Sequence, residues 1–379
     1  MVVVASMVRF LHSADWQIGM PARFLSEEAA PRFIEARLEA VARLGQVARE
    51  RDCAFVVVAG DVFDANLLSR RTLFRAAEAI ASIPVPVFLL PGNHDPLNAT
   101  TVYRNEDLMG HLPARVQVLD GEGPFAVPGA ELVAAPWTSN RPLEDLVARV
   151  VRGLGPKGGL RILVGHGAVD EVMPALRDEP GTIRLRPLEQ AIADGLLDYV
   201  ALGDRHSTTP VGQSGRIFYS GTPEVTRFDE RDPGNVLVVE LEQGRPAAVE
   251  SVRVGRWRFV AQPPVDLTGE GDVQALAASL AGLSDKTRTC VELTLRGTLS
   301  VRSQAALEHL LEDHAETFAG LEVDRDIAVQ PDDFDFESLH LSGFAQAALT
   351  ELTQLAAGRD ETAATAQDAL GLLFRLTRG

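Results

Sequence analysis

The chain has 379 residues, of which 46% are hydrophobic, and a formal net charge of −17. This length predicts two or three domains with sizeable cores. The acidic balance, taken alone, argues against a protein that holds polyanions by nonspecific attraction. No apolar run approaches the roughly 20 residues of a membrane-spanning helix, so no membrane association is expected. Cys53 and Cys290 lie far apart in apolar surroundings, which predicts buried thiols in a reducing cytoplasm rather than a disulfide framework.

Residues 7 to about 255 alternate apolar strands with amphipathic helices. The run before Phe10 lacks the basic segment and cleavage site of a signal peptide, so a strand is predicted there. Apolar residues near helical spacing predict helices over 27–51 and 69–82. Further strands are predicted over 116–119, 131–135, 217–220 and 236–241. This order predicts an α/β fold in which a βαβ start becomes a two-sheet sandwich flanked by helices.

The pattern restarts after residues 262–264, Gln-Pro-Pro. A helix over 273–283, a strand over 289–296 and a helix over 303–314 predict a small α+β domain. The acidic stretch 332–337 is typical of a linker, and helices are predicted over 345–355 and 362–377. We therefore divide the chain into a first domain over 1–258, a small domain over 259–332 and a C-terminal helical segment over 333–379.

Polar side chains follow five of the apolar runs, at the point where each predicted strand ends. The fragments are Asp15-Trp16-Gln17, Gly60-Asp61-Val62-Phe63-Asp64, Gly92-Asn93-His94-Asp95, Gly165-His166-Gly167 and Gly203-Asp204-Arg205-His206. Runs rich in Val, Ile and Leu indicate buried strands, and ligands of open α/β sheets gather at the carboxyl ends of strands. The five ends therefore predict one convergent site.

These side chains suit a centre with two divalent cations. Two hard cations about 3.5–4 Å apart need a shared carboxylate flanked by oxygen or imidazole ligands. Asp61 is the natural bridge, because it offers an anionic oxygen pair on a turn preceded by glycine. The other expected ligands are Asp15, Gln17 and His206 for one ion and Asn93, His166 and Asp204 for the other. Water between the ions would be acidified to hydroxide and would attack a phosphorus in line with the leaving oxygen.

His94 and Asp95 are expected to act in catalysis rather than as ligands. Because adjacent side chains diverge, His94 cannot easily coordinate beside Asn93, and it is free to donate to the phosphate or protonate the leaving group. Asp95 or Asp64 is expected to orient imidazoles from behind. A histidine taken singly is more often a core or surface residue, but five ordered fragments argue against that interpretation here.

The ordered fragments resemble those of calcineurin-like metallophosphoesterases. Two runs are similar to nuclease subunits of the SbcD type within that family. They are Leu11-His12-Ser13-Ala14-Asp15-Trp16-Gln17-Ile18-Gly19 and Tyr219-Ser220-Gly221-Thr222-Pro223-Glu224, the latter followed by Phe228-Asp229-Glu230. Over residues 7–255 the resemblance implies a four-layer metallophosphoesterase β-sandwich flanked by helices. The layout beyond implies a small α+β capping domain that contacts DNA and C-terminal helices that dock a partner.

The same resemblance implies a function. The expected activity is a metal-dependent phosphodiesterase, acting as a DNA exonuclease or endonuclease in DNA repair and recombination. The implied cofactors are two divalent ions, Mn²⁺ or else Mg²⁺. The implied partners are DNA, an SbcC-like ATPase of the SMC family and a second copy in a homodimer. The acidic net charge is compatible with this activity, since bound metal would neutralise several carboxylates, and Arg70, Arg71 and Arg75 form a local basic group.

Two positions depart from the family pattern, which has His where this chain has Gln17 and Asp204. Glutamine is a weaker, neutral oxygen ligand, whereas Asp204 adds an anionic oxygen that favours hard ions such as Mn²⁺ or Mg²⁺. We therefore expect one tight and one looser metal site. Two alternatives stay open: a small-molecule phosphodiesterase or phosphomonoesterase on the same scaffold, which the acidic charge favours, and a degenerate binding subunit, which the two departures motivate.

Overall fold

The computed structural model describes residues 7–22, 25–329, 343–356, 358 and 361–376. Backbone contacts divide these residues into two compact units. The first unit extends to Trp257, and the second begins at Arg258 and also includes the short stretch 25–29. Among the described helices, none is both long enough and apolar enough to cross a lipid bilayer.

The first unit contains two sheets and the helices that cover them. Its strands are β1 (Met7–Ser13), β2 (Val56–Val58), β3 (Val87–Leu89), β4 (Val116–Val118), β5 (Phe125–Val127), β6 (Ala130–Ala134), β7 (Leu160–His166), β8 (Tyr199–Gly203), β9 (Thr209–Val211), β10 (Ile217–Tyr219), β11 (Asn235–Glu242) and β12 (Ala248–Arg253). Its helices are α1 (Ala29–Glu50), α2 (Arg70–Ala81), α3 (Glu106–Met109), α4 (Leu146–Arg152) and α5 (Leu185–Ala193). One sheet has the order β12-β11-β1-β2-β3-β4 and the other β5-β6-β7-β8-β10-β9.

The two sheets pack face to face, and helices cover their outer faces. Residues at successive positions along a strand point to opposite faces, so Phe10 of β1 lies in the core between the sheets and Leu11 in the core beneath α1 and α2. Phe55 stacks on Phe10 with ring centroids 5.0 Å apart. A third core joins the second sheet to α4 and α5. The predicted four-layer, helix-flanked sandwich is therefore confirmed.

The capping residues of α2 explain why the helix bounds predicted from the sequence lie within one residue of the observed bounds. The hydroxyl of Ser69 accepts a hydrogen bond from the backbone N–H of Thr72, and the backbone N–H of Ser82 bonds to carbonyls of the last turn. Serine is a strong N-cap because its oxygen satisfies an otherwise unpaired helical N–H. The predicted helix over 69–82 is thus confirmed as α2 with one cap residue at each end.

The second unit contains a parallel sheet with helices. Its elements are β13 (Arg258–Ala261), β14 (Val265–Leu267), α6 (Glu270–Ala281), β15 (Thr289–Leu299), α7 (Val301–Ala315), β16 (Gly320–Val329), α8 (Phe344–Ala356) and α9 (Glu361–Leu376). The long strand β15 pairs in parallel with β13, β14 and β16. Leu349 of α8 and Leu370 of α9 are buried in a cluster with Val301 and Ala305 of α7. The predicted linker over 332–337 lies outside the described residues.

Candidate metal centre

The five polar fragments meet at one edge of the sandwich. Strands β1, β2 and β3 are parallel neighbours in the first sheet, and β7 and β8 are parallel neighbours in the second. Asp15, Asp61 and Asn93 follow the first three strands, His166 ends β7 and Asp204 follows β8. Because the carboxyl ends of parallel strands lie at the same edge, the predicted convergence follows directly from this topology.

Hydrogen bonds tie the two sheets together at this edge. Within the first sheet, the backbone N–H of Asp15 donates to the carbonyl oxygen of Gly60 at 3.0 Å, and the next two bonds join the sheets. The backbone N–H of Asp204 donates to both carboxylate oxygens of Asp15, at 3.0 and 3.1 Å. His166 donates from Nδ1 to the carbonyl oxygen of Ala59 at 2.8 Å. The site is therefore held by bonds between strand ends rather than by mobile side chains alone.

Four of the predicted ligands have a backbone in the left-handed region. The φ angles are +53° for Asp15, +48° for Gln17, +52° for Asp61 and +99° for Asp204. Non-glycine residues occupy this region at a conformational cost, and such residues cluster at functional sites. Gly92 adds a tight approach, since a Cβ there would lie 2.2 Å from Asp61 Oδ1. The turn before Asn93 therefore requires glycine at this position.

Asp61 lies between the two halves of the site. Its Oδ1 accepts the backbone N–H of His94 at 3.0 Å and lies 3.4 Å from His166 Nε2. Its Oδ2 accepts a hydrogen bond from Nε2 of Gln17 at 2.9 Å. Burial opposes ionisation of this carboxyl, but the neighbouring His166 imidazole lowers the pKa of Asp61 overall. Asp61 thus presents one oxygen to His166 and the other to Gln17.

The buried charges fit a divalent cation. One ligand atom each from Asp15, Asp61 and His166 lies within 4.8 Å of the others, and all three side chains are buried. Burial raises the pKa of Asp15 to about 7, which reflects the cost of an uncompensated carboxylate away from water. A divalent ion would supply the missing positive charge, and it prefers such oxygen and imidazole donors.

His166 and Asn93 present two acceptor atoms to the same space. Because His166 uses its Nδ1–H on a carbonyl oxygen, its Nε2 carries the lone pair in the neutral ring. That Nε2 lies 2.7 Å from Asn93 Oδ1 and 3.9 Å from Asp204 Oδ1. Without an ion, this contact requires a proton between the two atoms. Burial opposes protonation of His166, but the nearby Asp61 carboxylate raises the pKa of His166 well above its usual value. A cation can take the place of that proton.

His206 is oriented by Glu230. The Nδ1–H of His206 donates to Glu230 Oε1 at 2.8 Å, and Thr226 Oγ1 lies 2.6 Å from the same nitrogen. This leaves Nε2 of His206 facing the site, 3.9 Å from Asp15 Oδ1. A carboxylate behind a ligating histidine fixes its tautomer and ring orientation. The sequence alone did not predict a role for Glu230, although this residue belongs to the run Phe228-Asp229-Glu230 that is similar to the family.

His94 and Asp95 have different environments. The His94 side chain is 44% exposed, its Nδ1–H donates to the carbonyl oxygen of Asp64 at 2.9 Å, and its Nε2 lies 3.9 Å from Asp61 Oδ2. Asp95 is fully buried, and its carboxylate accepts the N–H groups of Gly92 and Phe63 and the O–H of Tyr103. His94 thus reaches the site, whereas Asp95 holds the turn that carries Asn93 and His94.

One loop outside the predicted fragments, between β6 and α4, supports the site. Nε1 of Trp137 donates to the carbonyl oxygen of His166 at 2.8 Å. Nδ2 of Asn140 donates to the carbonyl oxygen of Asn93 at 2.9 Å. Neither residue stands in a regular strand or helix, so hydrophobic periodicity carried no signal for them.

The basic groups in the sequence are largely neutralised in the structure. Arg70 pairs with Asp107, and Arg75 pairs with Glu35. A second basic group lies close together in the sequence and comprises Arg149, Arg152, Lys157 and Arg161. It pairs similarly, with the contacts Arg149–Glu122, Arg152–Glu144, Lys157–Asp198 and Arg161–Glu131. Within the described part of the chain, only Arg71 among these seven cations forms no ion pair. These groups therefore do not form a strongly positive surface.

Comparison with known proteins places this geometry in a family. A family model described as calcineurin-like phosphoesterase matches residues 8–239. The SbcD subunit of nuclease SbcCD from Escherichia coli strain K12 is 26% identical over 312 residues, which cover 72% of this chain and 73% of that protein. The DNA double-strand break repair protein Mre11 from Archaeoglobus fulgidus is 27% identical over 250 residues, which cover 61% of this chain and 53% of that protein.

Solved structures show weaker likeness. Purple acid phosphatase PPD1 from yellow lupin has 15% identity and a TM-score of 0.40, covering 65% of this chain and 52% of that one. A 5′-nucleotidase precursor from Thermus thermophilus has 14% identity and a TM-score of 0.36, covering 65% and 54%. These identities and TM-scores are too low to indicate a shared function. The family model, by contrast, spans most of the first unit and every position at which the sequence predicts a ligand. The chain therefore belongs to the calcineurin-like phosphoesterases and is a metal-dependent phosphoesterase.

Proposed function

We propose that this protein cleaves phosphodiester bonds of DNA, as an exonuclease or endonuclease in DNA repair. The observation that carries the proposal is the position of Asp61. Its Oδ1 lies 3.4 Å from His166 Nε2, and its Oδ2 lies 2.9 Å from Gln17 Nε2. One carboxylate that reaches both halves of the site suits a centre with two ions. The similarity to two DNA-processing proteins supports DNA as the substrate.

The proposed ligands fall into two sets that share Asp61. The first set is Asp15, Gln17 and His206, and the second is Asn93, His166 and Asp204. Held by these residues, two divalent ions would supply positive charge to the phosphoryl oxygens and would acidify the attacking water. The chain itself orients the ligands, through Glu230 behind His206 and through the carbonyl oxygen of Ala59 behind His166.

We propose that the ions are Mn²⁺ and that the two sites differ in affinity. Asp204 contributes an anionic oxygen, which favours a hard ion. Gln17 in contrast uses its amide N–H on Asp61 Oδ2, and turning the amide round would set its oxygen against a carboxylate oxygen. Because the hydrogen bond competes with an ion for Asp61, the site that includes Gln17 is the weaker one.

His94 is the proposed acid for the leaving group. Its Nδ1–H is hydrogen-bonded to the carbonyl oxygen of Asp64, so the proton available for transfer to the leaving group is the one on Nε2. That nitrogen faces the site, 3.9 Å from Asp61 Oδ2, and its side chain is 44% exposed. A substrate oxygen can therefore reach it. Asp95 acts only by holding the turn, through its three hydrogen bonds.

The proposal is tested with two matched variants of neighbouring carboxylates. Asp61→Asn removes the shared charge, and we expect the rate of cleavage of duplex DNA ends in Mn²⁺ to fall by about a thousandfold or more. Asp64→Asn makes the same chemical change three residues away, where the backbone carbonyl accepts the hydrogen bond of His94 and the carboxylate lies farther off, at 3.9 Å from Nδ1, and we expect less than a tenfold loss. Equal activity of wild type and Asp61→Asn protein would exclude the proposed centre.

A small-molecule phosphodiesterase or phosphomonoesterase is the second candidate. The observation that favours it is the net charge of −17, which opposes approach of a polyanion. The exposed carboxylates of Glu322, Asp324 and Asp326 on β16 add negative charge to the second unit. Comparing kcat/KM for DNA ends with that for a chromogenic phosphodiester decides between the candidates. Efficient cleavage of the small ester with no cleavage of any DNA would favour this candidate.

The proposed partners are DNA, an SbcC-like SMC-family ATPase and a second copy of this chain. In this proposal residues 259–332 cap the site and residues 333–379 dock the ATPase. The similarity to a protein that is itself one subunit of nuclease SbcCD supports an assembly of this kind. The proposed compartment is the cytoplasm, because Cys53 and Cys290 are both buried free thiols. Light scattering of the purified protein tests the homodimer directly.

The exposed apolar residues of the C-terminal helices give a sharper test of docking than a deletion. Leu349 and Leu370 pack on α7, so removing both helices would expose apolar surface within the second unit. Phe344 and Leu372 are 89% and 50% exposed and are available for a partner. Phe344→Ser with Leu372→Ser is expected to abolish co-purification with the ATPase while leaving chromogenic hydrolysis unchanged. Retained co-purification would exclude docking through these side chains.

A further inference from the structure

A cleft of about 600 Å³ opens beside the candidate metal centre in the first unit. Two loops form it: residues 137–143, which follow β6, and residues 176–182, which lie between β7 and α5. Asn93 and Asp204, both proposed ligands, line the end where the cleft meets the metal centre. A group bonded to a phosphorus at the metal centre therefore has this cleft as its adjoining space.

The cleft is built into the fold. Asn140 of the first loop donates to the backbone of Asn93, and Trp137 donates to the backbone of His166. The loops also touch each other, since a Cβ at Gly181 would lie 2.6 Å from Cγ of Pro142. A pocket held by such contacts is preformed, as small-ligand sites usually are, and its volume falls in their usual range.

The lip of the cleft combines apolar side chains with an arginine. Leu143 is 92% exposed and Leu176 is 42% exposed, and Pro180 lies with them along the cleft. Single exposed leucines are common on protein surfaces, but here both leucines line the same cleft. Arg141 and Glu179 also line it, and within the described residues no carboxylate pairs with the Arg141 guanidinium.

We propose that this cleft binds the nucleoside next to the scissile phosphate. This inference rests on the proposed nuclease function and names the part of the substrate that the site recognises. Apolar side chains pack on the faces of a nucleobase with little dependence on its identity. An arginine beside them can stack on a base or contact the next phosphate. In DNA the group attached to the reacting phosphorus is a nucleoside. Because the cleft adjoins the metal centre, that nucleoside is the part of the substrate that the cleft would hold.

The proposal predicts a preference for unpaired nucleotides. A base within a duplex is stacked and paired, and it enters a protein pocket only after leaving the stack. A base at a frayed end or in a single strand is already available. The enzyme is therefore expected to act at ends and single-stranded stretches in preference to intact duplex, without reading the base sequence.

The test compares a natural nucleotide with an abasic one beside the same scissile bond. Single-stranded oligonucleotides carry either residue on each side of the bond in turn, and the full-length protein is assayed with Mn²⁺. We expect KM for the preferred natural oligonucleotide to be at least about tenfold lower than for its abasic partner. In protein with Leu143→Ser and Leu176→Ser this ratio should fall below about threefold, because the variant lacks the apolar contacts that distinguish the two oligonucleotides. Leu67→Ser, at a leucine that is 80% exposed and not among the cleft residues, should keep the wild-type ratio.

A second experiment measures nucleoside binding to the cleft directly and needs no hydrolysis. The nucleoside of 2-aminopurine carries no phosphate, and the anisotropy of its fluorescence rises when it binds to a protein. We expect a saturable rise with wild-type protein and at least about fivefold weaker binding by the double variant. An unchanged KM ratio in the double variant, or no rise with wild-type protein, would overturn the proposal. If wild-type protein cleaves no oligonucleotide, the nuclease function fails, and the anisotropy result alone decides whether the cleft binds a nucleoside.

Discussion

The side chain of Gln17 donates a hydrogen bond from Nε2 to Oδ2 of Asp61 at 2.9 Å. Both residues are buried and both have positive φ angles, so the contact belongs to the rigid part of the site. Oδ2 of Asp61 bonds to Gln17, a proposed ligand in the Asp15 half of the centre, whereas Oδ1 lies 3.4 Å from His166 Nε2. The amide therefore restrains a carboxylate oxygen that an ion in that half would need.

Replacing Gln17 by histidine should tighten the weaker ion site. An imidazole nitrogen is a stronger donor to Mn²⁺ than an amide oxygen, and the variant also frees Asp61 Oδ2 from its hydrogen bond. We expect the second dissociation constant for Mn²⁺, measured by calorimetry or electron paramagnetic resonance, to fall by about tenfold. Two equally tight sites in the wild-type protein would contradict the premise of unequal halves.

Glu230 and Asp229 offer a matched pair for testing the support of His206. Glu230 is buried against the imidazole, with Oε1 2.8 Å from Nδ1, whereas Asp229 is 67% exposed and pairs with Arg227. Losing a carboxylate behind a ligating histidine costs roughly 10–100-fold in metal affinity. We expect a loss of this size for Glu230→Gln in Mn²⁺ titrations. Asp229→Asn serves as the control, and a similar loss there would remove the special role of Glu230.

The role of His94 can be separated from general damage by changing the leaving group. A DNA alkoxide needs a proton as it departs, whereas p-nitrophenolate leaves without one. We therefore expect His94→Ala to slow DNA cleavage by about 10²–10⁴-fold and to slow hydrolysis of a p-nitrophenyl diester by less than about tenfold. The Mn²⁺ content should stay unchanged. Equal losses on both substrates would indicate that His94 only binds the phosphate.

Asp95 should matter for folding more than for chemistry. Its carboxylate accepts two backbone N–H groups and the hydroxyl of Tyr103. Asp95→Asn sets an N–H₂ group against at least one of these donors and should lower the free energy of unfolding by about 1–3 kcal/mol. Tyr103→Phe removes a single hydrogen bond and should cost less. Denaturant unfolding measures both, and a fully stable Asp95→Asn protein with abolished turnover would restore a catalytic role.

The location of the site could be read from the sequence for a simple physical reason. A buried parallel strand is a short apolar run, and the residues after it lie at one edge of a sheet. Asp15, Asp61, Asn93, His166 and Asp204 all fall at such points, so their convergence needed no long-range information.

The partners of the site residues were not readable in this way. The bond between Gln17 and Asp61 depends on how two left-handed turns face each other, and the burial of Asp95 depends on Tyr103. The ion pairs of the basic groups were not readable from the sequence either. Arg161, for example, pairs with Glu131 on the neighbouring strand, and such pairs are fixed by the fold rather than by local sequence.

His12 gives the protein an acid-sensitive core. The ring is fully buried, with Nδ1 3.1 Å from the hydroxyl of Tyr199 and Nε2 3.1 Å from the carbonyl oxygen of Leu202. Burial lowers the pKa of His12 to about 3. In the unfolded chain the pKa is close to 6.5, so between these values only the unfolded state binds the proton. Stability should therefore fall as the pH drops below about 6.5.

The expected size of this effect is about 2 kcal/mol between pH 7 and pH 5. Urea unfolding of wild-type and His12→Asn proteins at the two pH values measures it, because the variant should lack this part of the pH dependence even if it is less stable at pH 7. His309→Asn is the control, since the His309 side chain is 74% exposed and should follow the wild type. The same pH dependence in all three proteins would show that His12 is not the acid-sensitive group.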